Sequence, residues 1–378
     1  MPLEHQHGHA SVAMAPESDC FGESVEKIMS KHKPLRFALV GAGLVADFHA
    51  QALRASKKAE LVGATDLSAD ALARFAAKYS CQAIDSLDAL LSRQDIDVVS
   101  ILTPNATHSA LGVRVAAAGK HCLVEKPPDM TLAKADALIA AFDQSGTKLA
   151  ICLNCRFRKA LVPVKKALAE GRFGTLLAGD CYMKWFRPQE YYGLAAWRSS
   201  REHGAGVTVQ QAFHYYDLLL YLMGPVKRVW ARMENLGHPG VPVEDNTIAL
   251  LEYANGARGV MEASTAMYPG SDLRIEINGT KGTAALVGER LQTFKFTDER
   301  PEDVEALKIG AQGGPTGAGG AAAFQYFEHQ YLIEDLCDAI RENRDPRITG
   351  REGRRTLELA LAMYASADSG QWVNVSGV

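Results

Sequence analysis

Lys126 follows the apolar run Cys122-Leu-Val-Glu125 and precedes two prolines, Pro127 and Pro128. The prolines stiffen the backbone and prevent a helix from continuing through it. An amine held this way can exchange a proton with a hydroxyl, provided burial or nearby positive charge lowers its pKa. His214 heads the apolar stretch Phe213–Met223. Its imidazole, with a reference pKa of about 6.5, suits proton acceptance near neutral pH. A third feature is Gly41-Ala-Gly43-Leu44-Val45-Ala46. A Gly-x-Gly-x-x-Ala pattern alone is weak, but this one sits between a strand-like run and a helical stretch, with Asp66 closing the next strand. Gly41 permits the tight turn, Gly43 lets the backbone approach a pyrophosphate, and Ala46 keeps helix and strand close. The first turn of the helix, Leu44 and Val45 included, supplies free N–H groups and a positive dipole end for phosphates. Asp66 can accept hydrogen bonds from an adenosine ribose, and its charge repels a 2′-phosphate, which favours NAD over NADP. Asp66 also suits the helix start at Ser68.

The elements needed to hold these groups are legible. Leu35–Val40, Leu61–Thr65, Val98–Leu102, Cys122–Glu125 and Leu149–Leu153 are short apolar runs suited to buried parallel strands. Helical stretches lie between them, so the pattern predicts a doubly wound parallel sheet with right-handed crossovers. Ligands bind such sheets beyond the carboxyl ends of the strands. Gly41, Asp66, Thr103-Pro104-Asn105 and Glu125-Lys126 all fall at those ends. In the second half, Thr247–Tyr253 and Arg258–Ser264 flank Asn255-Gly256, a strong hairpin signal, and Leu273–Ile277 alternates. Late helices are expected over about 324–343 and 353–367. A chain of 378 residues exceeds one comfortable core. The expected organisation is a mobile tail over 1–33, a dinucleotide-binding domain over 34–155 and a substrate and oligomerisation domain over 156–378.

At Gly41-Ala-Gly43, Thr103-Pro-Asn105-Ala-Thr-His108, Glu125-Lys126-Pro127 and Gly204-Ala-Gly206…His214-Tyr-Tyr-Asp217, the chain resembles the glucose–fructose oxidoreductase / inositol dehydrogenase / rhizopine-catabolism (Gfo/Idh/MocA) family. The likeness runs from about residue 34 to the C-terminus and includes Val243-Glu-Asp245 and Asn278-Gly-Thr-Lys-Gly282. It implies an α/β fold: a Rossmann domain, then an α/β domain with a large, open, mostly antiparallel sheet that commonly forms a homodimer or homotetramer interface. It implies that Lys126 touches the reacting hydroxyl and that His214 is the base or proton relay. It also implies that Thr103, Pro104, Asn105, His108 and Glu125 lie beside the cofactor; a cap-and-turn role for Thr103 to Asn105 is equally physical. One departure matters. Many members carry an Asp four residues before this His, where this chain has Gln210, followed by Gln211. A neutral amide cannot raise the histidine's basicity as a carboxylate does, although it can bond a substrate hydroxyl. Amides here resemble members that oxidise the C3 hydroxyl of sugar nucleotides or glycosides.

Asn154 and Arg156, after the fifth strand, are candidate substrate contacts at the domain junction. So are Trp197 and Arg198, within an aromatic and cationic group that includes Trp185, Tyr191 and Tyr192. Aromatic faces suit the C–H faces of a sugar ring, and core packing explains them equally well. No metal is expected. His5, His7 and His9 lack a partner cluster, and Cys152-x-x-Cys155 overlaps a buried strand whose alternating directions separate the thiols. A net charge of −3 and a pI near 6.4 argue against nucleic-acid and anionic-membrane partners. No apolar run approaches the roughly 18–20 residues of a membrane span. The seven cysteines then read as reduced thiols of a cytoplasmic protein. Gly310 to Gly320 is too glycine-rich for a regular element and reads as a loop, idle or a lid.

The leading expectation is an NAD-dependent dehydrogenase or reductase of a sugar, sugar nucleotide or cyclitol. The alternative is an NAD-recycling glycosidase that oxidises transiently, eliminates and returns the hydride. A non-catalytic NAD sensor would need neither Lys126 nor His214.

Overall fold

The computed structural model describes residues 33–310 and 325–376. The expected tail (but for Lys33) and the Gly-rich segment after Gly310 lie outside the described residues. Two sheets organise the chain. The first has the strands β1 Leu35–Val40, β2 Ala59–Thr65, β3 Gln82–Ala83, β4 Val98–Ile101, β5 His121–Glu125 and β6 Leu149–Cys152. All its pairings are parallel, in the order β3-β2-β1-β4-β5-β6. Strand order reverses between β1 and β4, which opens a crevice beyond their carboxyl ends. Phe37, Leu39, Val98, Val99, Leu123 and Val124 are fully buried, as expected where helices cover both faces. Five of these strands match the apolar runs in the sequence to within two residues. The two-residue edge strand β3 has no apolar signature, because both its residues are exposed.

The second sheet contains β7 Leu176–Lys184, β8 Val226–Glu234, β9 Asn246–Tyr253, β10 Arg258–Ser264, β11 Arg274–Gly279, β12 Gly282–Val287, β13 Arg290–Phe296 and β14 Val373–Asn374. Its order is β13-β12-β11-β7-β10-β9-β8-β14, antiparallel except where β10 runs parallel to β7. The β9–β10 hairpin turns at Asn255-Gly256, with Gly256 at φ 91°. Helix Phe213–Met223 packs on β7, and helix Gly350–Ser369 packs on β8. These cover one face. On the other face Ile248 and Leu250 of β9 are each 41% exposed.

Helix Phe213–Met223 is apolar on nearly every side because it is enclosed, and its buried Asp217 needs a partner. Arg156 supplies it. No described helix is long and apolar enough to cross a membrane.

Candidate active site

Gly41 follows β1 at φ 105°, and a Cβ there would press against the Leu102 carbonyl at 2.9 Å. At Gly43 a Cβ would meet nothing within 4 Å. The space that its missing side chain leaves lies at the N-terminus of helix Leu44–Ala55, where backbone N–H groups await an anion. Leu44 and Val45 stay 51% and 37% exposed in that first turn, and Ala46 is buried. Asp66, at the end of β2, ties the loop down. One carboxylate oxygen accepts from the Ala42 N–H at 2.7 Å, and the other from the Ser68 N–H at 2.7 Å. Turn, open cradle, helix terminus and acid together fit a dinucleotide.

The turn after β4 carries Thr103, Pro104 and Asn105. Pro104 is exposed and Thr103 half-buried. Asn105 is buried, and its Nδ2 donates to the Gly204 carbonyl at 3.3 Å. Gly204 must lack a Cβ, which would overlap the Asn105 side chain, and Gly206 likewise packs on the Glu244 carboxylate. The Gly204-Ala-Gly206 segment is therefore glycine for close approach. His108 was expected beside the cofactor, but its ring is fully buried. Its Nδ1 lies 2.7 Å from the Pro127 carbonyl and its Nε2 2.8 Å from the Thr103 carbonyl. With both nitrogens engaged and no exposed face, His108 is a brace between the Thr103 turn and the Lys126-Pro127 turn.

Lys126 leaves the end of β5, half-buried, and its Nζ donates to the Gln210 carbonyl at 2.8 Å. Burial lowers its pKa, and the negative charge of Glu125 opposes that. His214 lies in the first turn of helix Phe213–Met223. Burial, then the charge of Lys126, holds its pKa well below the usual histidine value, so it is neutral. Its Nδ1 and the Oε1 of Gln210 are buried atoms without a hydrogen-bond partner among the described residues. Two unsatisfied polar atoms beside one ammonium are costly unless a ligand completes them.

Other expected contacts separate. Arg156 is not free to bind substrate. Its guanidinium grips both Asp217 oxygens at 2.7 and 2.8 Å and Glu352 at 2.6 Å, while Thr356 donates to Asp217. A buried carboxylate in the helix core consumes it. Asn154 donates to His329 Nδ1 at 3.3 Å. Gln211 donates to the Tyr191 hydroxyl at 3.0 Å, and Arg198 lies over the rings of Tyr191 and Trp197 at 4.4 and 4.7 Å. Tyr192 and Trp185 are core residues.

Sequence reasoning missed Arg158. It is buried, pairs with Glu289 at 3.2 Å, stands over the Tyr215 ring, and its charge is among those that depress the His214 pKa. Nothing in Arg156-Phe-Arg158 ranks one arginine above the other; only the position of Asp217 does. Sequence reasoning also missed His49 and His329, which meet Glu125 and Cys152 with their donor atoms all within 4.8 Å of one another. Two recesses, beside Phe142 and Asp345 and beside Ile96 and Gly119, lie away from the strands' carboxyl ends.

A six-stranded Rossmann sheet with a glycine cradle, facing a lysine and a histidine drawn from opposite halves of the chain, defines a dinucleotide-dependent oxidoreductase. The chain belongs to the Gfo/Idh/MocA family. Residues 35–152 match the oxidoreductase family with an NAD-binding Rossmann fold, and residues 162–285 match the GFO/IDH/MocA C-terminal domain. The chain is 40% identical over 347 residues to a UDP-N-acetylglucosamine 3-dehydrogenase of Acidithiobacillus ferrooxidans, covering 89% of this chain and 98% of that protein. It is 27% identical over 321 residues to an inositol 2-dehydrogenase of Rhizobium meliloti, covering 76% and 93%. Among solved structures, the WlbA dehydrogenase of Bordetella pertussis in complex with NADH and UDP-GlcNAcA superposes with a TM-score of 0.83 at 31% identity, covering 90% of this chain and 98% of that one.

Proposed function

We propose that this oxidoreductase oxidises a secondary hydroxyl of a sugar nucleotide, at C3, with NAD as the acceptor. The observation that carries the reading is the meeting of Lys126 and His214, with the unpartnered Gln210 Oε1 and His214 Nδ1 beside them. The names of the two sugar-nucleotide relatives support the substrate class.

The dinucleotide is held by Gly41, Gly43, the first turn of helix Leu44–Ala55, Asp66 and the Thr103–Asn105 turn, and when bound it supplies the hydride acceptor. The chain's own residues do the rest. Lys126 Nζ, already donating to a neutral carbonyl, keeps N–H bonds to hold the substrate hydroxyl. His214, neutral because it is buried beside Lys126, takes the hydroxyl proton on a ring nitrogen as the carbon–oxygen double bond forms. Gln210 Oε1 accepts from a neighbouring hydroxyl and so orients the ring. Tyr191, Trp197 and Arg198, linked to Gln211, offer a stacking and cationic surface for the more distant part of the substrate. The domains divide near residue 155, and the protein works in the cytoplasm as a homodimer or homotetramer joined through the outer face of the second sheet.

The test is a panel of sugar nucleotides, free sugars and cyclitols incubated with NAD. It is read at the NADH absorbance and by product analysis. We expect a 3-keto product from a UDP-sugar. Turnover of cyclitols or free sugars alone would overturn the substrate class, and product formed without net NADH would replace oxidation by NAD recycling.

A further inference from the structure

Beneath Lys126 lies a buried polar cluster that the proton transfer does not use. Glu125 closes β5, and because successive side chains alternate along a strand it points to the opposite side from Lys126. It is received by residues of three other elements: His49 of helix Leu44–Ala55, Cys152 of β6 and His329 of helix Phe327–Glu342. His49 Nε2 lies 3.0 Å from Glu125 Oε1, and His329 Nε2 lies 4.0 Å from the same oxygen. The other oxygen accepts from the backbone N–H of Lys126 at 3.2 Å.

The protons can be assigned. Asn154 Nδ2 donates to His329 Nδ1, which leaves that ring's hydrogen on Nε2, facing the carboxylate. His49 Nε2 donates likewise. Both rings are buried and pack edge to face at 5.1 Å, with Phe48 stacked on His329 at 5.8 Å. Burial pushes His329 down to about 3, so it acts as a neutral donor. Burial alone would raise the Glu125 pKa, yet the His49 hydrogen bond and the surrounding positive charge hold it below the usual carboxylate range. An apolar side chain would fill this place at less cost, since a buried carboxylate is expensive unless every lone pair is engaged. Here its partners tie four elements to the backbone of a single residue, Lys126.

We propose that Glu125, held by His49 and His329, is a positioning residue that fixes Lys126 and supplies the negative charge opposite its ammonium. This rests on the reading of Lys126 as the group that meets the substrate hydroxyl. The groups facing Lys126 are Glu125 from its own strand, Cys152 and Cys155 from β6 and the turn after it, and His214 and the Gln210 carbonyl from the second half. Those facing Glu125 are His49, His108, Cys152, His329 and Lys126. Glu125 is the only carboxylate in the first set. Without it, burial acts on Lys126 with no opposing carboxylate, and the ammonium gives up its proton at lower pH.

The experiment titrates Lys126 directly in the full-length protein, with no substrate present. The rate of acetylation by acetic anhydride at Lys126 is followed across pH by peptide mass spectrometry. We expect Glu125→Gln to shift the half-titration of Lys126 downward, making the amine about tenfold more reactive at a fixed pH below the wild-type midpoint. Glu125→Asp, which keeps the charge, should restore most of the wild-type profile. His49→Phe and His329→Phe should each shift it in the same direction as Glu125→Gln, and by less; they carry the test should Glu125→Gln fail to fold. An unmoved profile in the folded variants overturns the proposal, as does a Glu125→Asp profile identical to that of Glu125→Gln. Zinc found at one equivalent by elemental analysis overturns it as well, because His49, Glu125, Cys152 and His329 would then be ligands. Since no substrate enters the measurement, failure here leaves the dehydrogenase reading standing, and an inactive substrate panel leaves this one standing.

Discussion

Lys126 Nζ donates a 2.8 Å hydrogen bond to the backbone carbonyl of Gln210, joining the end of a Rossmann strand to the segment just before His214. A carbonyl holds the ammonium without cancelling its charge. Removing either side chain should leave NADH binding, read by fluorescence, nearly intact. Lys126→Ala and His214→Ala should each reduce turnover by about 10²–10⁴-fold, the usual worth of a positioned acid–base group. The double variant should lose less than the product of the two losses, because both serve one proton transfer. Gln210→Ala should cost about 0.5–1.5 kcal/mol in kcat/KM, since it removes one neutral hydrogen bond and keeps the carbonyl.

The pH profile should differ from that of an ordinary histidine base. Proton acceptance needs the unprotonated form, and His214 is already neutral well below the usual histidine pKa. Alcohol oxidation should therefore show no step near pH 6.5. It should change instead on the alkaline side as Lys126 titrates, below its model value of 10.5 because burial lowers it. A rate profile that climbs through pH 6.5 and is abolished by His214→Ala would contradict this.

Asp66 accepts from the Ala42 amide, so its carboxylate shapes the phosphate loop as well as the ribose site. NAD should bind more tightly than NADP in paired titrations. Asp66→Ala should weaken NAD by about 10–100-fold, the worth of a hydrogen bond to a charged group, and should narrow the gap with NADP. A variant with unchanged preference would remove Asp66 from cofactor selection.

Arg156 belongs to the core. Arg156→Ala leaves the buried Asp217 without its ion pair, and breaking such a pair from one side costs about 3–5 kcal/mol. Urea denaturation should show that loss. The KM of whatever residual folded enzyme remains should change little.

On the second sheet, Ile248 and Leu250 present apolar side chains away from the covering helices. Light scattering should give a multiple of the 40.9 kDa chain, and Ile248→Lys with Leu250→Lys should shift it toward the monomer. A wild-type monomer at micromolar concentration would rule this interface out.

The sequence by itself determined the first sheet, the glycine cradle with Asp66, the Lys126 turn and the helix that carries His214. These signals are local: an apolar run, a turn that only glycine can make, or a residue locked before proline states its role within about ten positions. Long-range pairing is not written that way. Arg156 and Arg158 are equivalent in the sequence, and only the fold spends one on Asp217 and sends the other toward His214. His108 lies in a motif beside the cofactor turn, yet the fold wedges it between two carbonyls. His329, 280 residues beyond His49, joins Glu125 because a buried carboxylate must find donors wherever the packing brings them. Tertiary structure decided those partners, since the cost of burying an unpaired charge is settled by proximity in space and leaves no mark in the spacing of the chain.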